Sequence, residues 1–462
     1  MSVEPNVTRR DMRRVGISSY LGTTLEYYDF LLYGTAAALV FSKVFFSELS
    51  PVLGTIVSLG TLAAGYITRF LGAIVFGYLG DRAGRKKIML MTLVVMGVTS
   101  GLVGCLPTYS QIGVAAPLLL VVLRMLQGFA VGGEFGGAVL MTAEHAKNDR
   151  RGLASSAAAM GAPTGGILAS GVMLAVTALP DGQLLSWGWR LPFLASFVFV
   201  AVALYFRLRV SESPVFLAEQ KAPDRHSTRH PLAALLRTNW PNLLRSILFQ
   251  VGPYAAQGVF NVFILTYATS IGYPRSTALT TILVVGGMSI LATPVFGTLS
   301  DRLGRRPVLF WGLIGTAGFA YPAFLLINIG NAATFFLAVA AFSVLFLPAI
   351  TAVAPVYATE LFATDIRYTG VSTSYQLGQI LGAGLSPVVA ASLLAASGGG
   401  TNSTFIALYI VLLCLVGVVA LAATHTPGGR SLLTRDVQAE QSTEQAPPKT
   451  TDETTLTPES AS

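Results

Sequence analysis

A chain of 462 residues that is 53% hydrophobic and only 11% charged departs from soluble domains, in which about a quarter of residues carry charge. Twelve membrane helices of roughly 25 residues would use about 300 positions, which leaves short loops and a tail but no soluble catalytic domain. The net charge of +8 would suggest a nucleic-acid partner in a soluble protein; here the basic residues fall in loops between apolar runs, so no nucleic acid is expected.

The chain opens on a basic segment, Arg9, Arg10, Arg13 and Arg14. The segment after it carries Glu26 and Asp29 and lacks the apolar core and small-residue cleavage site of a signal peptide. It reads as a retained membrane helix over 16–46. Runs without Asp, Glu, Lys or Arg cover 88–123, 152–180, 246–274, 276–300, 307–359 and 368–429. The last two are each long enough for two helices. Asn328-Ile-Gly-Asn331 breaks one and Ser397-Gly-Gly-Gly-Thr-Asn-Ser403 breaks the other. The predicted spans are 16–46, 54–80, 87–107, 112–143, 152–179, 187–208, 241–271, 277–300, 307–328, 333–359, 367–396 and 403–424. The expectation is an all-α membrane protein of twelve helices, multi-pass, with the lipid bilayer as its solvent.

An even number of spans puts both termini on one side. Most of the 30 Lys and Arg fall on that side too, and the positive-inside rule makes it the cytoplasm of a cell or inner membrane. Cys105 and Cys414 both sit in apolar stretches and read as packing residues, not a disulfide framework. The four tryptophans, Trp187, Trp189, Trp240 and Trp311, lie near predicted helix ends, where interface anchoring is expected.

The sequence repeats. Gly77-Tyr-Leu-Gly-Asp81-Arg82-Ala-Gly84-Arg85-Lys-Lys recurs as Gly297-Thr-Leu-Ser-Asp301-Arg302-Leu-Gly304-Arg305-Arg-Pro, 220 residues on. Glu144-x4-Asp149-x-Arg151 recurs as Glu360-x4-Asp365-x-Arg367, 216 residues on. Each pair follows the second or the fourth helix of its half. The expected organisation is therefore a six-helix half over 1–208, a cytoplasmic linker over 209–240, a second half over 241–425 and a disordered tail over 426–462. Parallel repeats of this kind build many transporters.

The loop Gly80-Asp81-Arg82-Ala83-Gly84-Arg85-Lys86-Lys87 resembles the signature of the major facilitator superfamily and stands, as there, between the second and third helices. Glu26-Tyr-Tyr-Asp29-Phe in the first helix and Arg124-Met-Leu-Gln127-Gly-Phe-Ala-Val-Gly132-Gly133-Glu134-Phe-Gly136-Gly137 in the fourth narrow the likeness to the metabolite:proton symporter family. The resemblance implies alternating-access symport of a small organic acid or zwitterionic metabolite. It implies no cofactor beyond the proton gradient and no obligatory protein partner. Pro163-Thr-Gly165-Gly166 resembles the Pro/Gly motif of drug–proton antiporters but is one residue short of that spacing, so a proton-coupled efflux antiporter stands as the alternative.

Charges inside a membrane helix cost roughly 2.5–3.5 kcal/mol each on insertion scales and mark ion or substrate paths by default. Five stand well inside the predicted spans: Glu26, Asp29, Arg69, Arg124 and Glu134. Glu26, Asp29 and Tyr33 share one face of the first helix. Two neighbouring carboxylates resist double ionisation, which suits proton uptake and release. Asp29 and Arg124 stand where, by resemblance to sugar–proton symporters, a proton-linked Asp–Arg pair is expected. An ionised Asp29 would pair with Arg124, and a protonated one would free it for substrate. Arg69 lies about 18 Å from the Asp81 loop along its helix. It reads as a carboxylate receptor, or as the partner of Glu134 or Glu26. Glu134 reads as a second proton carrier or as that partner, and Gln127 points the same way. The glycines around it would let helices approach closely.

The second half carries no charge in the interior of its spans, only Arg245 and Arg367 near their ends. Gln250, Tyr254, Gln257 and Asn261 form one stripe of the seventh helix, and Tyr375, Gln376 and Gln379 lie in the eleventh. Both sets would hydrogen-bond a polar substrate or bridge helices. Asp81, Arg82, Gly84, Arg85, Glu144 and Arg151, with Asp301, Arg302, Gly304, Arg305, Glu360 and Arg367, form the expected cytoplasmic gate. By resemblance such a network holds the outward-facing state shut on the inside. An enzyme is not expected: the histidines, His145, His226, His230 and His425, fall at or outside the cytoplasmic face, no metal-ligand cluster occurs, and neither HExxH nor GxSxG is present.

Overall fold

The computed structural model describes residues 8–220, 231–398 and 400–424. They form twelve long helices: α1 Arg9–Ala36, prolonged to Val44; α2 Pro51–Ala83; α3 Arg85–Cys105; α4 Ala115–His145; α5 Arg151–Thr177; α6 Asp181–Leu208; α7 Trp240–Ser270; α8 Arg275–Leu303; α9 Arg305–Asn328; α10 Ala332–Leu361; α11 Arg367–Ala396; and α12 Thr404–Ala422. Ten of these are long and apolar enough to cross a membrane by composition. The first carries the basic start together with Glu26 and Asp29, which dilute its hydropathy.

Local chemistry explains the ends. Thr8 caps α1 by accepting from the Asp11 N–H at 3.2 Å. Ser50 caps α2 ahead of Pro51, whose missing N–H suits a first turn. Asn331 caps α10 through the Ala333 N–H at 2.8 Å. The α2–α3 and α8–α9 joints are single residues, Gly84 at φ +104° and Gly304 at φ +94°, a region where a side chain would clash. Wider π-helical turns interrupt α1 at Ala37–Phe41, α7 at Val259–Phe263, α10 at Ala341–Phe346 and α11 at Ile380–Gly384.

Each half holds its own apolar core. Leu32, Phe41, Leu93, Met96 and Phe193 meet in the first, and Phe249, Ile264, Leu313, Phe324 and Ile350 in the second. The outer faces are apolar as well: Leu174, Val198, Leu291, Val388, Leu412 and Val419 are all more than 60% exposed. So broad an apolar exterior is incompatible with water and suits lipid. Trp187, Trp240 and Trp311 are exposed near helix ends, but Trp189 is buried against Phe41, Phe45 and Phe193. It is a core residue and not an interface anchor. Cys414 is buried, whereas Cys105 is exposed and does not pack as expected.

In the expected linker, short helices cover Pro214–Gln220 and Pro231–Thr238; the segment between them lies outside the described residues, as does the expected tail from 426. Among the described residues, hydrogen bonds and ion pairs between the halves run from the end bearing the Gly84 and Gly304 loops, the basic end, to the Tyr27–Tyr375 contact. Tyr375 is eight residues into α11, about 12 Å along the helix.

Candidate functional site

Two charged centres lie in the first half. In one, Arg69 of α2 meets Glu26 of α1 at 3.3 Å. The Arg69 guanidinium lies over the rings of Phe30 at 5.1 Å and Tyr66 at 5.6 Å. Of the options open for Arg69, its acidic neighbour is Glu26. Arg69 keeps some exposure, while Glu26, Asp29 and Arg124 are buried.

In the other centre, Asp29 has no direct ion pair with Arg124. Its Oδ1 accepts from the Ser196 hydroxyl of α6 at 2.8 Å, and its Oδ2 from the Ser100 hydroxyl of α3 at 2.6 Å. Gln127 of α4 donates to Ser100 at 2.5 Å and accepts from Arg124 Nη1 at 2.5 Å. The Arg124 guanidinium lies over Tyr33 at 4.4 Å and Phe30 at 5.5 Å, so Phe30 stands between both arginines. Tyr33 bonds Thr61 at 2.7 Å. Arg124 Nε is buried without a hydrogen-bond acceptor. It lies over Gly65, where a Cβ would come within 2.7 Å of it.

Glu134 is separate from both centres. It pairs with Arg207 of α6 at 2.8 Å and accepts from Thr92 of α3 at 3.0 Å. Arg207 also donates to the Ser18 hydroxyl at 2.9 Å and the Ser18 carbonyl at 3.0 Å. This buried pair ties α1, α3, α4 and α6 together. The expected partner Arg69 belongs to Glu26 instead. The glycines of α4 do permit close approach: a Cβ at Gly132 would strike the Arg69 carbonyl.

The polar residues of the second half divide. Tyr375 is buried; its hydroxyl meets Tyr27 of α1 at 3.1 Å and accepts from Gln379 at 3.1 Å. Phe135 of α4 stacks on its ring at 4.1 Å, and Tyr254 stands edge-on at 5.9 Å. Gln250 donates to the Ser246 carbonyl at 2.6 Å, leaving its own Oε1 free. Gln257 is half-buried and Asn261 exposed. The expected stripe is not continuous, because Asn261 lies in the π-helical turn Val259–Phe263, where the longer repeat rotates the following residues off the face. Gln376 reaches the Gly132 carbonyl at 3.5 Å.

At the basic end the carboxylates cap helices of the opposite half. Asp81 accepts from the N–H groups of Tyr368 at 3.0 Å and Thr369 at 2.9 Å, in the first turn of α11, and from the Thr369 hydroxyl at 2.8 Å. Asp301 accepts from Gly152 N–H at 2.8 Å and Leu153 N–H at 2.9 Å, in the first turn of α5. Unsatisfied N–H groups and the dipole make a helix start a good seat for an anion. Arg85 lies 3.6 Å from Asp81 and 3.5 Å from Glu144, and Arg367 reaches Glu144 at 3.3 Å across the halves. In the second copy Arg305 pairs with Asp301 at 2.6 Å and Glu360 at 3.4 Å. Arg151 opens α5 and is buried there. Arg82 bonds Tyr78 and is exposed; Arg302 is exposed too, and neither forms a described bond between the halves.

Several participants escaped the sequence reading. Glu212, at the start of the linker, accepts from Arg85 N–H and Lys86 N–H at 3.1 Å, capping α3 beside Gly84. Ser213 bonds Glu144. An acid next to Pro214 at the mouth of a loop was the available signal. Ser100 and Ser196 gave none, because a lone hydroxyl in an apolar run has no period. Arg207, one residue from the end of the predicted span 187–208, is not among the intramembrane charges singled out from the sequence.

Comparison with known proteins agrees with this architecture. Residues 15–234 match the family model "Sugar (and other) transporter", and 254–452 match "Major Facilitator Superfamily". The chain is 37% identical over 411 residues to the shikimate transporter of Escherichia coli, covering 88% of this chain and 93% of that one. It is 36% identical over 433 residues to the inner membrane metabolite transport protein YhjE of E. coli, covering 91% and 95%. The proline/betaine transporter of E. coli is 31% identical over 430 residues, covering 91% and 85%. Among solved structures, the proton:xylose symporter XylE bound to 6-bromo-6-deoxy-D-glucose superposes with a TM-score of 0.70 over 93% of this chain and 99% of that one, at 19% identity, a likeness of fold. The chain belongs to the major facilitator superfamily, among its shikimate, metabolite and proline/betaine transporters, and is a membrane transporter, not an enzyme.

Proposed function

We propose that this transporter is a proton-coupled symporter of a small organic acid, working in the cytoplasmic membrane with both termini in the cytoplasm. The halves 1–208 and 241–425 would rock about the linker 209–240. The basic end would be cytoplasmic, so the cross-half caps of Asp81 and Asp301 would hold an outward-facing state shut on the inside. The proton gradient drives the cycle without a cofactor, and the partners are the substrate, protons and lipid.

The observation that carries the reading is the balance of charge around Phe30. Glu26 already neutralises Arg69, whereas Arg124 is balanced only by Asp29, at one remove. When Asp29 takes a proton, Arg124 becomes a buried cation without a counter-ion, which is costly. A substrate carboxylate then restores neutrality through the bidentate fork a guanidinium offers. Arg69, the more exposed arginine, would meet the acid first. Tyr375, Gln379, Gln257 and Tyr254 would contribute hydrogen bonds from the second half, with Tyr27–Tyr375 closing the floor. Gln250, with its free carbonyl oxygen, and Tyr33 and Gln127, which orient Arg124, complete the proposed set. Glu26 would share proton coupling with Asp29, and Glu134 would serve as structure.

An acid fits better than a betaine. A quaternary ammonium wants free aromatic faces, yet the faces of Phe30, Tyr33 and Tyr66 are already taken by Arg69 and Arg124. The reading is tested with Asp29→Asn in liposomes. That variant should exchange labelled acid for unlabelled acid but fail to accumulate it against a gradient. Normal accumulation by Asp29→Asn would refute the role of Asp29, and export of the acid with inward proton flow would favour the antiporter.

A further inference from the structure

We infer that Ser100 and Gln127 are positioning residues that relay the protonation state of Asp29 to Arg124. The inference rests on the reading of Asp29 as the proton carrier.

Arginine can only donate. Arg124 therefore fixes Gln127 Oε1 towards itself and leaves Gln127 Nε2, a pure donor, facing Ser100 Oγ. Ser100 Oγ also lies 2.6 Å from Asp29 Oδ2 and 2.9 Å from the Met96 carbonyl. A hydroxyl has one proton and two lone pairs. Gln127 takes one lone pair; the Met96 carbonyl can accept only the proton, so that proton goes either to Asp29 or to Met96, and the second lone pair is open only to a proton on Asp29.

Two arrangements of hydrogens follow, with the same heavy-atom positions. With Asp29 ionised, Ser100 donates to it. Every donor then points one way, from Arg124 through Gln127 and Ser100 to the carboxylate, and each bond polarises the next. With a proton from water on Asp29 Oδ2, the carboxyl donates to Ser100, and the Ser100 proton swings to the Met96 carbonyl. The last link of the chain is now reversed. Ser196 holds Oδ1 at 2.8 Å in both cases. Arg124 thus senses the proton through a hydroxyl rotation, without breaking a direct ion pair. Its Nε, buried and without an acceptor, is the point where an incoming anion finds an unused donor.

The test is infrared spectroscopy of the purified full chain in lipid, without substrate. The protonated Asp29 carboxyl band is the one missing in Asp29→Asn, and it is titrated with pH. In Ser100→Ala the carboxylate loses a charge-assisted donor, and Asp29 should hold its proton to a proton concentration about tenfold lower. Gln127→Leu should act in the same direction by about two- to threefold, by cutting the polarised chain. Its effect should vanish in the Ser100→Ala background, since the two act in series. Ser100→Thr, which keeps the hydroxyl, should titrate as the unaltered protein does, and Gln127→Met offers an isosteric second variant if Gln127→Leu fails to fold. A Gln127 effect that is absent, or persists undiminished without Ser100, overturns the relay alone. An unaltered protein whose Asp29 band never titrates overturns the proton-carrier reading and the relay with it.

Discussion

Asp81 and Thr369 belong to opposite halves, and the carboxylate of the first accepts both the N–H and the hydroxyl of the second, at 2.9 and 2.8 Å. The repeat places Asp301 against Gly152 and Leu153 in the same way. The two loops are thus joined by caps that cross the seam, each resting on a charge and a helix start. Surface ion pairs alone are worth about 0–1 kcal/mol; a partly buried charge at a helix terminus reaches about 2 kcal/mol.

Asp81→Asn and Asp301→Asn should therefore each shift the population towards an open basic end. A loss of about 1–2 kcal/mol corresponds to a factor of about 5–30. Pulsed electron–electron distances between spin labels at Lys147 and Leu303, one in each half, would show a longer component growing in each variant. An unchanged distance distribution in both would remove the caps from the gate.

Glu134 and Arg207 make a different prediction. Breaking a buried pair leaves an uncompensated charge and costs about 3–5 kcal/mol. Glu134→Gln should lower thermal stability in detergent, and Glu134→Leu combined with Arg207→Met should recover most of it. A stable Glu134→Gln that loses proton coupling would make Glu134 a carrier instead.

Gly65 leaves the space in which the Arg124 side chain lies. Gly65→Ala should displace the guanidinium and weaken binding of a transported acid by about ten- to hundredfold, the worth of a charge-assisted hydrogen bond. The half-saturating concentration for uptake measures this. The same concentration in the variant would place the acid elsewhere.

The Tyr27–Tyr375 hydroxyl contact is neutral and spans the halves. Tyr27→Phe should change the ratio of open to closed basic end by less than about tenfold, since such a bond is worth about 0.5–1.5 kcal/mol. A complete loss of the closed state in that variant would give this contact a larger part than the Asp81 and Asp301 caps.

The fold was legible because hydrocarbon thickness demands long apolar runs, and because the Asp81 loop and its copy at Asp301 expose the repeat directly. Pairings inside the bundle were harder to read. Arg69–Glu26 was one of three options, since spacing along one helix does not say which neighbour faces it. The partners of Asp29 came from α3 and α6, where Ser100 and Ser196 are single small hydroxyls without charge or period. Asn261 was misread for a geometric reason: the face was drawn for an uninterrupted α-helix, and the π-helical turn at Val259–Phe263 rotates it away. Arg207 stands at the end of its predicted span, where sequence alone does not distinguish a solvated charge from one buried beside Ser18 and Glu134.

The central claim is that a proton gradient drives uptake of an organic acid through the Arg124 centre. The direct measurement is uptake into liposomes of purified protein under an inside-alkaline gradient, with labelled shikimate, citrate, 2-oxoglutarate, benzoate-type acids, proline and betaine offered in parallel. Accumulation of at least one acid, abolished when the gradient is collapsed and absent with Arg124→Gln, is the predicted result. Uptake confined to betaine or proline, or acid uptake indifferent to the gradient in folded protein, would contradict the account.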